Sequence, residues 1–313
     1  MMQFTDSHCH LDDIAFSEQL SALLEQCQQL AINRIIVPSI APDNFSQVLN
    51  LAKRCPDDLG NNLSNNTNTN LIKIYPCLGI HPWFLQTLND SHLEQLSKLV
   101  IKSRQEIIAV GEIGIDGAIA KQAVNHGQTP EDNLHHQQHF FDFQLNLAKQ
   151  QNLPVIIHHR QSHDKIMPFL KRYQLARAGI IHGFSGSYQQ AKGYIDLGFK
   201  LGVGSTITYS RAKKTINTLK RLPLESLVLE TDAPSMPLSR EVTDKEEPTN
   251  NENTKDEKLE VHTSSSANPP AKSPANSPVN LIKIFEVLST IRPESSEEIA
   301  SQLEHNIEQI FFT

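Results

Sequence analysis

The chain has 313 residues, of which 38% are hydrophobic and 20% charged, and its formal net charge is −7. These values are typical of a globular protein with one domain of about 250 residues plus insertions. No apolar run approaches the ~20 residues of a membrane span. The first residues do not show the basic segment followed by an apolar core that is typical of a secretory signal. The net negative charge argues against a protein that coats nucleic acid non-specifically through a basic surface. The four scattered cysteines favour a reduced, cytoplasmic setting over a disulfide framework.

Eight segments along the chain have the character of β-strands. Most are continuous apolar runs, which are typical of strands that are buried on both faces. The predicted strands are, in chain order, Gln3–Leu11, Arg34–Pro38, Ile72–Ile80, Glu106–Asp116, Pro154–Arg160, Gly179–Gly186, Phe199–Gly204 and Leu227–Asp232.

Helical spacing of apolar residues fills most of the intervals between these strands. The predicted helices are Ser17–Leu30, Asp43–Arg54, Ser91–Ser103, Glu131–Gln151, Asp164–Tyr173, Tyr188–Leu197 and Arg211–Arg221, and Gly117–Pro130 is predicted to be an irregular loop. Alternation of strands and helices indicates parallel βαβ units, and eight of them predict an α/β fold, a closed (β/α)8 or TIM barrel. An open doubly wound sheet is the alternative, although no glycine-rich phosphate loop follows the first strand.

The composition changes sharply after the eighth strand. Residues 237–274 are rich in Glu, Lys, Asn, Ser and Pro, which predicts a disordered, low-complexity insertion within a single domain that spans residues 1–313. Two helices are predicted beyond it, Val279–Ile291 and one that Ser295 and Glu298 begin as a capping box.

Polar side chains recur where the predicted strands end. His8 and His10 lie two residues apart, so both face one side of a strand while Cys9 faces the other. Further polar groups lie at or near the ends of other strands: His81, Glu112, His158, Arg160, His182 and Asp232. In a (β/α)8 barrel these ends converge on one mouth, where active sites are built. Buried imidazoles and carboxylates are costly unless they are paired or bound to metal, so the pattern predicts a metal site.

The motifs around these residues resemble, in order, those of the TatD-like metal-dependent hydrolases, which are usually described as deoxyribonucleases. The matching segments are Asp6–His10, Gly79–Pro82, Gly111–Asp116, Pro154–Arg160, His182–Gly186 and Glu230–Pro234, and Asn276-Ser277-Pro278 matches a further Asn-x-Pro element. The resemblance implies a TIM barrel with two divalent metal ions per chain. The implied connection after strand eight is much shorter than the one in this chain.

The resemblance also implies which residues hold the two ions. His8, His10 and Asp232 would hold one ion, His158 and His182 the other, and Glu112 would bridge them. Zinc, manganese and magnesium are the implied ions, and a donor set rich in imidazole favours zinc or manganese over magnesium.

The same residues suggest roles in hydrolysis. Glu112 and Asp232 are the predicted catalytic residues, with Asp232 also accepting a proton from the nucleophile. Arg160 would hold a phosphate through its planar guanidinium, unless it forms a surface ion pair. His81 would donate a hydrogen bond to the phosphate, unless it only stabilises the turn before Pro82.

The expected function is a metal-dependent phosphodiester hydrolase, a DNase or exonuclease acting on single-stranded or frayed DNA ends. DNA would be its partner, with no membrane and no obligate protein partner. One alternative is a binuclear-metal ester or amide hydrolase acting on a small molecule or an aminoacyl-nucleic acid. Another is a catalytically silent metal-binding scaffold. The sequence shows no clear strip of aromatic and basic residues for stacking single strands.

Overall fold

A computed structural model describes residues 2–54, 72–123, 127–243 and 276–313. Eight parallel strands form one sheet in which the strand order follows the chain order. The strands are β1 Phe4–Asp6, β2 Ile32–Pro38, β3 Lys73–Leu78, β4 Ala109–Asp116, β5 Val155–Arg160, β6 Gly179–Ile181, β7 Lys200–Val203 and β8 Leu227–Leu229.

Hydrogen bonds just beyond the strand ends join the first strand to the last. The Ser7 N–H donates to the Leu229 carbonyl at 3.0 Å, and the Asp232 N–H donates to the His8 carbonyl at 2.8 Å. The eight-stranded barrel predicted from the sequence is therefore confirmed, and the open sheet was the wrong alternative. Strand β1 ends at Asp6, earlier than predicted, so His8 and His10 lie in the segment that follows it.

Helices surround the barrel close to the predicted positions. Their bounds are α1 Leu20–Gln29, α2 Phe45–Arg54, α3 Asp90–Lys102, α4 Gly117–Gln122, α5 Pro130–Gln151, α6 His163–Tyr173, α7 Tyr188–Ile195, α8 Lys213–Leu219, α9 Arg240–Thr243, α10 Leu281–Ile291 and α11 Ser296–Phe311. The prediction of an irregular loop over Gly117–Pro130 was wrong at its start, because α4 forms there. The Asp116 carboxylate accepts hydrogen bonds from the Ala118 and Ile119 N–H groups at 2.7 and 2.9 Å, and this cap starts the helix.

The barrel interior is filled by small and branched side chains, and the last helix covers one end. The interior residues include Ile36, Cys77, Ala109, Ile156, Ile180 and Val228, and they pack against Ile307, Ile310 and Phe311 of α11. The predicted capping box at the start of α11 is present, with Ser295 and Glu298 each accepting from the other's backbone N–H. Because α11 closes the end where the strands begin, the opposite end, where they finish, is the mouth.

The segment after β8 remains folded further than predicted. Leu238 and Ser239 are buried, and the Ser239 N–H donates to the Thr208 hydroxyl at 2.9 Å before α9 begins. The disorder predicted for residues 237–274 therefore does not extend to 237–243, and residues 244–275 lie outside the described residues. Across the described ranges, no helix is both long and apolar enough to cross a membrane.

Candidate metal centre

Four donor atoms from three parts of the barrel meet at the mouth. They are His8 Nε2, His10 Nε2, Glu112 Oε2 and Asp232 Oδ1, and we call them the first donor set. The two imidazole nitrogens lie 3.2 Å apart. Glu112 Oε2 lies 3.2 Å from His8 Nε2 and 3.5 Å from His10 Nε2, and Asp232 Oδ1 lies 3.6 and 3.5 Å from the same atoms. These residues are more than a hundred positions apart in the sequence, except for His8 and His10, so the closed barrel is what brings them together.

The spacing of the first donor set fits a single metal ion. Donors that bind zinc tetrahedrally at 2.0–2.1 Å are about 3.3–3.4 Å from one another. The five distances given above, from 3.2 to 3.6 Å, bracket that value. The donor types also suit zinc or manganese, since two are imidazole nitrogens and two are carboxylate oxygens.

The other carboxylate oxygen of Glu112 faces a second group of imidazoles. Glu112 Oε1 lies 3.1 Å from His158 Nδ1 and 3.4 Å from His81 Nε2. His182 lies beside the first donor set, with its ring stacked on His8 at 3.6 Å between centroids and its Nε2 at 3.6 Å from Asp232 Oδ2. Possible ligand atoms cluster as His8, Glu112 and His182, as His8, His10 and Asp232, and as His81, Glu112 and His158. All six predicted ligands therefore meet at one mouth, with Glu112 between the groups.

Two buried carboxylates that sequence reasoning did not single out orient the histidines of this centre. Asp116 Oδ2 lies 3.1 Å from His158 Nε2, and Glu230 Oε1 lies 3.1 Å from His182 Nδ1. A carboxylate on one ring nitrogen holds a proton there and leaves the other nitrogen free to bind a metal. Their positions in the sequence could have indicated this role, because Asp116 ends β4 and Glu230 lies two residues before Asp232.

Trp83, in the turn after β3, holds both Asp116 and His81 in place. Its indole N–H donates to Asp116 Oδ2 at 2.6 Å, and its backbone N–H donates to His81 Nδ1 at 3.1 Å. Because His81 Nδ1 accepts a hydrogen bond, the proton of the neutral imidazole must lie on Nε2. Burial lowers the pKa of His81 to about 4, so this neutral form persists near pH 7. His81 therefore presents an N–H donor to the mouth.

The charges at the mouth shift the pKa values of its groups. Burial opposes the charged form of Glu112, yet the imidazoles of His81 and His8 hold its pKa well below the usual value. Burial also disfavours the His10 imidazolium, but Glu112 and Asp232 raise the pKa of His10 to about 9. For His182, the carboxylates Glu230 and Asp232 likewise outweigh burial and raise its pKa well above the usual value. The centre without metal therefore holds protons on some imidazoles opposite ionised carboxylates.

The backbone holds Asp232 in an uncommon conformation. Asp232 has a φ of 58°, in the left-handed region that few residues other than glycine adopt. Asn276 fixes the loop on both sides of it, since its amide donates to the carbonyls of Thr231, Ser235 and Met236 at 2.8–2.9 Å. The Asn-x-Pro element noted in the sequence thus holds the loop that carries Asp232.

The structure bears on the alternatives left open for Arg160 and His81. Arg160 ends β5 beside Asp116 in the strand register. Among the described residues its guanidinium makes no ion pair or hydrogen bond, so the surface ion pair is not formed with any of them. The turn-stabilising contact expected for His81 is present at Nδ1, and Nε2 still faces Glu112.

Replacing Asp116 with asparagine is expected to weaken metal binding by about 10- to 100-fold. Asparagine retains the capping of α4 but loses the charge that fixes the proton of His158 on Nε2. Isothermal titration of the metal-free variant with zinc measures the change. Asp142→Asn, at a carboxylate on the surface of α5, serves as the control, and equal affinities of D116N and wild type would remove the orienting role.

Comparison with known proteins shows which family this chain resembles. The family model described as TatD related DNase matches residues 5–312. The uncharacterized metal-dependent hydrolase YjjV of Escherichia coli K12 is 37% identical over 309 residues, which cover 99% of this chain and 98% of that protein. Its crystal structure covers the same shares of the two chains with a TM-score of 0.76.

Two other relatives are less similar to this chain. An uncharacterized metal-dependent hydrolase of Haemophilus influenzae is 35% identical over 315 residues, covering 99% of this chain and 100% of that protein. The Schizosaccharomyces pombe protein named Deoxyribonuclease Tat-D is 27% identical over 217 residues, 62% of this chain and 64% of that protein. With the family model spanning nearly the whole sequence and the donor residues together at the barrel mouth, the chain belongs to the TatD family of metal-dependent hydrolases.

Proposed function

We propose that the protein hydrolyses phosphodiester bonds at single-stranded or frayed DNA ends, with two divalent metal ions at the barrel mouth. The observation that carries this proposal is the position of Glu112, whose Oε2 faces His8 and His10 while its Oε1 faces His158. A carboxylate with donors on both sides can join two ions, and paired ions are typical of phosphodiester hydrolysis. The name of the fission yeast relative supports DNA as the substrate.

The residues divide into those that hold metal and those that handle the substrate. His8, His10 and Asp232 would hold one ion, His158 and His182 would contribute to the other, and Glu112 lies between the two groups. When bound, such ions lower the pKa of water and offset charge on phosphate oxygens. The protein's own carboxylates Asp116 and Glu230 would orient the imidazoles of His158 and His182 toward the ions.

Asp232 is the carboxylate placed to accept a proton from the attacking water. Its side chain is 13% exposed, whereas the side chain of Glu112 is 2% exposed and that of Glu230 is fully buried. Burial opposes its ionisation, but His182 and His8 lower its pKa below the usual value, so it is ionised at neutral pH. Because Asp232 is ionised and partly exposed, it can accept a proton from a water molecule at the mouth, whereas the buried Glu112 and Glu230 are shielded from that water.

Arg160 and His81 supply positive and hydrogen-bonding groups for the phosphate. The Arg160 guanidinium at the end of β5 can form two parallel hydrogen bonds to phosphate oxygens. His81 offers its Nε2 proton beside Glu112, since this nitrogen lies 3.4 Å from Oε1. Both groups lie at the mouth and neither is among the ligands assigned to the ions.

The experiment that tests this function uses end-labelled single- and double-stranded oligonucleotides. The purified protein is expected to shorten them from their ends in the presence of magnesium, manganese or zinc, and a chelator is expected to stop the reaction. A parallel assay offers a carboxylic ester and an amide. Chelator-sensitive hydrolysis of the ester or amide alone would contradict the proposal in favour of the other class of hydrolase.

Metal binding is expected to release protons and to weaken as the pH falls. With a pKa of about 9, His10 carries a proton at pH 7 in the metal-free protein, and that proton must leave before its nitrogen binds an ion. Zinc affinity should thus rise about tenfold per pH unit for each proton released, up to about pH 9. Titration calorimetry in two buffers of different ionisation enthalpy counts the protons, and an affinity that is constant from pH 6 to 8 would contradict this account.

A further inference from the structure

An aromatic side chain stands exposed at the mouth beside the candidate phosphate site. Phe84 follows β3 in a short 3-10 turn, Pro82–Phe84, and 37% of its surface is exposed. Its ring centroid lies 5.9 Å from that of His81, in an edge-on arrangement. His81 in turn faces Glu112, so the Phe84 ring is one side chain away from the metal centre.

The segment that carries Phe84 is held in place on both sides. Trp83 is fixed through its indole to Asp116 and through its backbone to His81. Leu85 is buried, and its carbonyl lies 3.2 Å from His136 Nε2. The Phe84 N–H itself donates to the His81 carbonyl at 3.1 Å. An exposed ring on such an anchored turn loses little conformational entropy when a ligand packs on it.

Phe84 differs from the other exposed phenylalanine of the described residues in its surroundings. Single exposed hydrophobic residues are ordinary on protein surfaces and need no function. Phe312, the other exposed phenylalanine among the described residues, already packs against Tyr75 and Arg34 at the closed end of the barrel. Phe84 instead lies at the open end, in edge contact with an imidazole of the site.

We propose that the ring of Phe84, supported by Trp83, stacks on the nucleobase next to the phosphodiester bond that is cut. This inference rests on the proposed function and makes its substrate more specific: the enzyme recognises a nucleotide with its base unstacked. Stacking on one aromatic ring is sequence-tolerant because every base has a π face. A base that is stacked between two neighbours in a duplex offers neither face, so the site favours frayed or single-stranded ends.

The test compares oligonucleotides whose terminal nucleotides carry bases with matched oligonucleotides whose terminal sites are abasic. Wild type should show a kcat/KM about tenfold higher on the base-bearing substrate, and Phe84→Ala should lose that preference, whereas Phe84→Tyr should keep it. Ile101→Ala is the control, because Ile101 is 56% exposed on α3 near its end that leads toward β4, away from the mouth. Equal base preference in wild type and Phe84→Ala would overturn the inference.

A binding measurement separates this inference from the proposed function. Trp83 is the single tryptophan in the chain, so its fluorescence reports binding at the mouth without background. Phosphorothioate oligonucleotides that carry bases should bind wild type about tenfold more tightly than Phe84→Ala, and abasic ones should bind both alike. If wild type binds base-bearing oligonucleotides with this preference but cleaves none, the proposed function fails and the stacking stands. If wild type cleaves DNA but Phe84→Ala binds base-bearing and abasic probes as wild type does, the stacking fails alone.

Discussion

Glu112→Gln is expected to reduce metal-dependent hydrolysis by more than about 100-fold, the upper range for residues that only orient a ligand. Glutamine keeps the volume of the buried side chain but replaces one oxygen with an amide nitrogen that carries two hydrogens. Whichever way the amide turns, one group of imidazoles loses its facing oxygen, since Oε1 faces His158 and Oε2 faces His8 and His10. The expected loss is in metal content as well as in rate.

Metal analysis of the desalted variant and a cleavage assay on end-labelled single-stranded DNA measure these losses. Glu94→Gln makes the same chemical change on the exposed face of α3 and should behave as wild type. A thermal unfolding curve shows whether the variant is folded. Full metal content in folded E112Q would mean that Glu112 is not a ligand to either ion.

Gly202→Ala is expected to have the second large effect, although residue 202 contacts no metal. A Cβ at this position would lie 2.2 Å from Glu230 Oε2 and 2.4 Å from its Cδ. Glu230 is fully buried and accepts a hydrogen bond from the Gly183 N–H at 2.5 Å, so it cannot move without losing its contacts. We expect the free energy of unfolding to fall by about 1–3 kcal/mol. Zinc affinity should fall by about 10- to 100-fold because His182 loses its orienting carboxylate.

A matched control lies two residues along the same segment. At Gly204 the nearest atom to an added Cβ would be Glu230 Cγ at 3.6 Å, an ordinary contact, and its φ of −112° suits any residue. Gly204→Ala should therefore keep both the melting temperature and the zinc affinity of wild type. If Gly202→Ala matched Gly204→Ala in both measurements, Glu230 would have no role in holding His182.

The barrel and a metal site at its mouth were predictable from local patterns, whereas the assignment of ligands came from the resemblance to the TatD-like hydrolases. Continuous apolar runs such as Arg34–Pro38 mark strands that are buried on both faces, and alternation along an extended segment puts His8 and His10 on one side. The mouth then follows from topology, since parallel strands in a barrel all end there. The positions of Glu112 and Asp232 in the structure agree with this reasoning.

The outer contacts could not be predicted in the same way. The bond from Trp83 to Asp116 joins residues 33 positions apart, and it depends on the register of β3 against β4 and on the turn after β3. Asn276 reaches the Asp232 loop across more than forty residues, and nothing in the intervening composition indicates that contact. Short helices such as α4 depend on one cap and have too few residues to show a periodic pattern.

The number of metal ions bound per chain tests the central claim most directly. The protein is loaded with zinc or manganese, freed of excess metal by desalting, and analysed for metal and for protein in the same sample. The arrangement of donors on both sides of Glu112 predicts two equivalents per chain in wild type and fewer in E112Q. One equivalent or fewer in folded, loaded wild type would contradict a two-ion centre at the barrel mouth.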